Sequence, residues 1–187
     1  MVDAAHLVRE MAVPIHSSGN RTLPELHNDH HQLRRLFEKS VRGYFTHILD
    51  REQWHVSKPT MKWPGEGDES AIALLPRMES DIVLENPRLG RKIVVETKFT
   101  DALTYRDGVP KVNRDYMFQI YAYLMSQSCQ GREVDDEAEG VILFAKTTGQ
   151  QDINEELVIQ NHRIRILSVD LAGTPDEIRD RWDQCIN

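Results

Sequence analysis

The stretch "MESDIVLENPRLGRKIVVETKF", residues 78–99, decides the fold. Two β-branched runs flank Pro87 and Gly90, so the segment reads as a hairpin turning over residues 87–90. The turn sets Glu85 against Lys92, Val83 against Val94 and Asp81 against Glu96. Directly opposed residues share a face, so Ile82, Leu84, Ile93 and Val95 make one wholly apolar surface, expected in the core. The other face ends in two carboxylates. Like charges opposed across a ladder repel, so Asp81 and Glu96 need a cation, a shared proton or a metal. Lys98 points the same way as Glu96.

Outward from this hairpin, the rest of the chain supplies helices and further strands. Leu33, Leu36, Phe37, Val41, Tyr44, Phe45 and Ile48 recur at helical spacing over residues 29–49 and predict an amphipathic helix with a wide buried stripe. "WHVSKPTMKWP" reads as an extended strand closed by Pro64, Gly65 and Gly67. Past Lys98, "RDGVPK" has turn chemistry, and "NRDYMFQIYAYLMSQS" is helical by the spacing of Tyr116, Ile120 and Leu124. "GREVDDEAEG" reads as a solvated acidic loop, "VILFAK" as a strand, and "LVIQNHRIRILSVDL" as one or two more. "TPDEIRDRWDQCI" opens with Thr174 as N-cap, Pro175 in the first turn and Glu177 in the capping-box place. The expected architecture is α/β in the α+β sense: a central mixed sheet of four to five strands flanked by helices, in the order α-β-β-β-α-β. A short helix over residues 3–12 and a linker make residues 1–28 an N-terminal stub, with one domain over 29–187.

At 187 residues, 40% hydrophobic and 28% charged, the chain has the composition of an ordinary globule. No apolar run reaches bilayer length and the N-terminus lacks the pattern of a secretory signal, so the expectation is a cytoplasmic protein without membrane contact. Cys129 and Cys185 are the only cysteines, which excludes a four-cysteine zinc or iron–sulfur site. A formal net charge of −7 weighs against a free-standing nucleic-acid binder. Positive charge is nevertheless concentrated in Arg88, Arg91, Lys92 and Lys98 and in Arg106, Lys111 and Arg114, read as flanking the carboxylate end of the hairpin; these are candidates to touch a nucleic-acid backbone phosphate, with plain solvation the alternative. "HNDHH", with His27, His30 and His31, reads as solvated rather than metal-binding, and Trp54 and Trp63 as packing against the first helix.

A hard divalent cation takes oxygen ligands, usually one or two carboxylates with water and phosphate. Asp81 and Glu96 can supply two, with the backbone carbonyl of Thr97 in reach of the same point. Lys98 then stands where it can stabilise a phosphorane-like transition state or orient the attacking water. Gln119 and Tyr123 lie one helical turn apart, so their polar tips share a face that can reach the site. The same residues also admit a structural reading, in which a Glu96–Lys98 or Asp81–Lys98 ion pair merely holds a polar hairpin end.

Taken in order, Asp81, Glu96-Thr97-Lys98 and Gln119-Ile120-Tyr121-Ala122-Tyr123 resemble the PD-(D/E)xK nuclease superfamily, in its RecB-like branch marked by a Q-x-x-x-Y helix. More closely, "LRRLFEKSVRGYF", "LLPRMESDIVL", "IVVETKF" and "YMFQIYAYL" look like the C-terminal nuclease domain of McrC, the cleavage subunit of McrBC modification-dependent restriction systems. The resemblance spans roughly residues 30–170. It implies a restriction-endonuclease-like core and a DNA endonuclease activity dependent on Mg²⁺, with Mn²⁺ as substitute. Asp81, Glu96 and Lys98 would bind metal and drive hydrolysis, Gln119 and Tyr123 would support them, and Glu38 of "LFEKS" would join the site. Ser80 stands where the superfamily's name has Pro. The resemblance also implies an McrB-like GTPase partner, whose contact region would be largely absent from a chain with so short a stub; the chain is then expected to be an excised domain or a short homologue, with a homodimer as a further expectation. Two alternatives follow from the same residues: a non-catalytic or dual-role assembly subunit, and a stand-alone RecB-type exonuclease.

Overall fold

A computed structural model describes residues 23–146 and 151–187, with side chains from His31 onward. The expected helix over residues 3–12, and the side chains of His27 and His30, lie outside the described residues. The first helix, α1 (Leu23–Ile48), begins before Asp29, so a boundary at residue 28 falls inside it. Phe37, Val41 and Phe45 of its stripe are fully buried.

The hairpin is formed by β4 (Ile82–Asn86) and β5 (Arg91–Lys98) in the register expected from the sequence, with Val83 opposite Val94 and Glu85 opposite Lys92. Around it a six-stranded mixed sheet is built in the order β1-β4-β5-β8-β10-β9. The remaining members are β1 (His55–Ser57), β8 (Glu139–Lys146), β9 (Asn154–Ile159) and β10 (His162–Asp170). The β5–β8 and β8–β10 pairs are parallel, while β1–β4, β4–β5 and β10–β9 are antiparallel. The sheet exceeds four to five strands because β1 and β9 each add an edge. Gln160 and Asn161 turn β9 into β10, both at positive φ, the conformation that a two-residue turn matched to sheet twist demands.

Both sheet faces are covered. Ile82, Leu84, Ile93 and Val95 pack with Phe37, Val41 and Phe45 of α1 and with Ile178 and Trp182 of the C-terminal helix α5 (Pro175–Asp183). Thr174 and Glu177 close the capping box at its start. On the opposite face Val83, Val94, Ile142 and Phe144 pack with Ile120, Tyr123 and Leu124 of α3 (Arg114–Gln127). Gly140 lets α3 approach β8: a Cβ there would stand 2.9 Å from Ile120 Cγ1. Each such fully buried Ile or Leu contributes about 1.5–3 kcal/mol.

The extended segment after α1 is broken at Pro59 into β1 and a two-residue β2 (Thr60–Met61), because proline cannot donate to the ladder. β2 pairs with β3 (Met78–Glu79), and the loop between holds a single helical turn, α2 (Glu69–Ile72). Trp54 packs on the α1 side of the core, whereas Trp63 is 38% exposed and donates to the Pro76 carbonyl. "RDGVPK" is more than a turn: Asp107 and Gly108, both at positive φ, join β6 (Leu103–Arg106) to β7 (Val109–Val112) in a projecting hairpin. The acidic stretch is not wholly a solvated loop either. It makes a helical turn, α4 (Glu133–Asp136), whose Asp135 is buried against Lys92. Glu139 is buried among Arg91, Arg163 and Arg165. No helix among the described residues is long and apolar enough to cross a membrane.

Candidate active site

Alternation along β5 distributes its side chains. Ile93, Val95 and Phe99 pack on the α1 face, while Val94 packs on the α3 face. Thr97 therefore belongs with the first set and Glu96 and Lys98 with the second. The β4–β5 ladder ends at Ile82–Val95, so Asp81 sits just outside it and turns its carboxylate to the strand edge. There Asp81 Oδ2 accepts from Thr97 N at 2.9 Å and from Thr97 Oγ1 at 2.7 Å. Asp81 thus straddles the end of the sheet rather than lying flat against Glu96 on one face, and the site draws on both faces.

On the α3 face, Lys98 Nζ donates to Glu96 Oε1 at 2.7 Å and to Gln119 Oε1 at 2.8 Å. Gln119 Nε2 donates to the Tyr123 hydroxyl at 2.7 Å, which in turn donates to the Glu79 carbonyl at 2.6 Å. Burial, and next the Asp81 charge, push the Glu96 carboxyl up to about 7 despite the opposing pull of Lys98. Burial holds the Tyr123 hydroxyl up at about 12, so it keeps the proton it donates. The Tyr116 ring lies 4.8 Å from Lys98 Nζ and adds a cation–π contact. Lys98 is 5% exposed, and these contacts fix its head toward Glu96.

On the α1 face, Glu38 Oε1 accepts from Arg42 at 2.7 Å and from Lys58 at 2.6 Å. Lys58 Nζ is also 3.9 Å from Asp81 Oδ1, and Arg42 reaches the Asp81 carbonyl at 3.4 Å. His31, Arg34, Arg35, Glu38, Asp81 and Thr97 line one polar cleft. Glu38 is therefore beside Asp81, but through Lys58 rather than in direct contact.

The donor set fits a hard divalent cation. Glu96 Oε2 is buried without a hydrogen-bond partner, and Asp81 Oδ1 has only the longer Lys58 contact as an ion pair among the described residues. No group of three or more His, Cys, Asp or Glu side chains that could hold a metal is assembled among those residues. Two carboxylates would leave the other positions to water and phosphate, as Mg²⁺ prefers; a nitrogen- or sulfur-seeking ion finds no ligand set here.

The basic residues divide. Lys92 is 7% exposed and buried in an ion pair with Asp135, and Arg91 binds Glu139 at 2.5 Å and the Ile186 carbonyl at 2.6 Å. Neither is free for a phosphate, because each neutralises a buried carboxylate. Arg88 is exposed at the hairpin turn, yet the eight residues of β5 span about 23 Å, so Arg88, Arg91 and Lys92 lie at the end of the strand away from Asp81 and Glu96. Arg106 and Lys111 on the β6–β7 hairpin and Arg114 at the start of α3 are exposed and line a shared hollow. Sequence reasoning missed Thr97 as the holder of Asp81, Tyr116 beneath Lys98, and Lys58 beside Glu38. Lys58 alone left a trace, in the proline that follows it.

Compared with protein-family models and with curated proteins, the chain matches none of either.

Proposed function

We propose that the chain is a divalent-metal-dependent DNA endonuclease domain, the cleavage component of an McrBC-like system that works with a GTPase partner. The observation that supports this reading best is the convergence of Asp81, Glu96 and Lys98 at one sheet end, with a buried carboxylate oxygen of Glu96 left without a partner.

Asp81 and Glu96 would hold the cation, Asp81 oriented by the Thr97 amide and hydroxyl. A divalent cation held there, Mg²⁺ or Mn²⁺, would supply Lewis-acid stabilisation of developing charge and a more acidic bound water. Lys98, steered by Gln119, presents its N–H groups to the developing negative charge beside Glu96. Tyr123 fixes the orientation of the Gln119 amide, and so acts on Lys98 at one remove. The cleft carrying Arg34 and Arg35 offers cations to the flanking backbone phosphates.

The test is cleavage of supercoiled plasmid at low salt with Mg²⁺, Mn²⁺ or EDTA. Metal-dependent nicking by the wild type, lost in Asp81→Ala and in Lys98→Ala, is the expected result. Closed circles left intact while linear DNA is degraded from its ends would replace the endonuclease with an exonuclease. Absence of nicking together with absence of Mn²⁺ binding would remove the catalytic reading.

A further inference from the structure

We infer that Lys58 is a built-in counter-ion of the carboxylate site, one that a divalent cation displaces on binding. The inference rests on Asp81 and Glu96 being metal ligands. Its geometry begins with the β1–β4 ladder, whose last pair is Ser57 with Val83. Pro59 cannot extend that ladder, so Lys58 is delivered to the open end of β4, next to Asp81. Its ammonium lies 2.6 Å from Glu38 Oε1 and 3.9 Å from Asp81 Oδ1, spanning the two carboxylates.

Glu38 does not need this cation for neutrality, because Arg42 already binds the same oxygen at 2.7 Å. Asp81 does: its other oxygen is committed to Thr97, and Oδ1 has no other ion pair among the described residues. Oδ1 is also the oxygen that a metal would take. A dication bonded at about 2.1 Å from that oxygen would repel an ammonium on the same side. Lys58 can leave, since its side chain is 38% exposed on a flexible four-carbon stem. Carboxylates waiting for a metal are thus kept neutralised, at the expense of metal affinity.

Calorimetric titration of Mn²⁺ into the wild type, Lys58→Met, Lys58→Arg and Asp81→Ala tests this. Lys58→Met is expected to bind about tenfold more tightly than the wild type, Lys58→Arg to match it, and Asp81→Ala to lose the site. In EDTA, Lys58→Met should melt below the wild type, and saturating Mn²⁺ should close that gap. Equal or weaker Mn²⁺ binding by Lys58→Met, with wild-type binding intact, would overturn the counter-ion role alone. Absence of Asp81-dependent binding in any variant would overturn the metal site and this inference with it.

Discussion

Lys98 Nζ lies 2.8 Å from Gln119 Oε1, and the Gln119 amide can face only that way. The Tyr123 hydroxyl spends its proton on the Glu79 carbonyl, so it can only accept from Gln119 Nε2, which leaves Oε1 for the lysine. Tyr123→Phe removes that constraint. The expected result is a fall of about tenfold in kcat with KM little changed, and a loss of about 1 kcal/mol in stability from two broken hydrogen bonds partly replaced by water. Single-turnover cleavage and urea unfolding measure the two separately, and Gln119→Ala should share the kinetic defect.

Glu96 makes the metal-free protein sensitive to pH. Its carboxyl is held up at about 7 in the fold against an ordinary value of 4.5, so the native state keeps a proton that the unfolded chain has released. Its stabilising contribution is full below pH 4.5 and is lost as pH rises through about 7, amounting to about 3 kcal/mol. Glu96→Gln has no such proton to lose. Urea unfolding in EDTA should show the wild type falling behind Glu96→Gln between pH 5 and pH 8; parallel curves would contradict the shift.

Thr97→Val keeps the shape of the side chain and deletes the hydroxyl that donates to Asp81 at 2.7 Å, while the backbone N–H bond at 2.9 Å remains. Asp81 is then held by one bond instead of two. Mn²⁺ affinity should drop by about fivefold, in line with one net hydrogen bond of about 1 kcal/mol, and calorimetry at fixed pH reads it.

Basic residues should separate into those that bind DNA and those that hold the fold. Lys92→Ala strands the buried Asp135 carboxylate, for which Arg132 at 3.6 Å is only partial relief, and should cost about 3 kcal/mol in urea unfolding without changing DNA affinity. The double variant Arg34→Ala, Arg35→Ala should do the reverse. It should leave stability within about 0.5 kcal/mol and lower the salt dependence of DNA binding by about one to two ions, measured by fluorescence anisotropy across a salt series.

Gly140→Ala tests the packing that brings α3 to the site. With Ile120 Cγ1 at 2.9 Å and Leu124 Cδ1 at 3.1 Å from the new methyl, both in the buried core, the helix must shift outward, and a loss of about 1–3 kcal/mol is expected on thermal unfolding.

How much of this was legible in the sequence depended on whether the cause was local. The β4–β5 register and the α5 capping box follow from residues within one or two turns of each other and stand as expected, and the α1 stripe does so except at Ile48, which is 41% exposed at the end of the helix. Alternation along β5 puts Glu96 and Lys98 on one face, as expected, while Asp81 lies past the last ladder pair and turns to Thr97. Part of their surroundings was not legible, because Lys58 and Tyr116 act through the meeting of separate segments. Lys92 shows the limit best: a lysine beside a hairpin turn reads as solvated, and only the fold of α4 over it, many residues later, makes it buried. The Asp107-Gly108 pair carried a hairpin signal that its short flanks, one of them holding Pro110, concealed.

The strand order has a consequence for synthesis. β5 lies between β4 and β8, and β8 is followed by β10, so a chain emerging N-terminus first completes every residue of Asp81, Glu96, Lys98, Gln119 and Tyr123 before β5 has its second neighbour. Until residues 139–146 arrive, the strand bearing Ile93, Val94 and Val95 is an open apolar edge. Such an edge invites pairing with another chain. Fragments that end between α3 and β8 would therefore hold all the site residues and still be lost to aggregation.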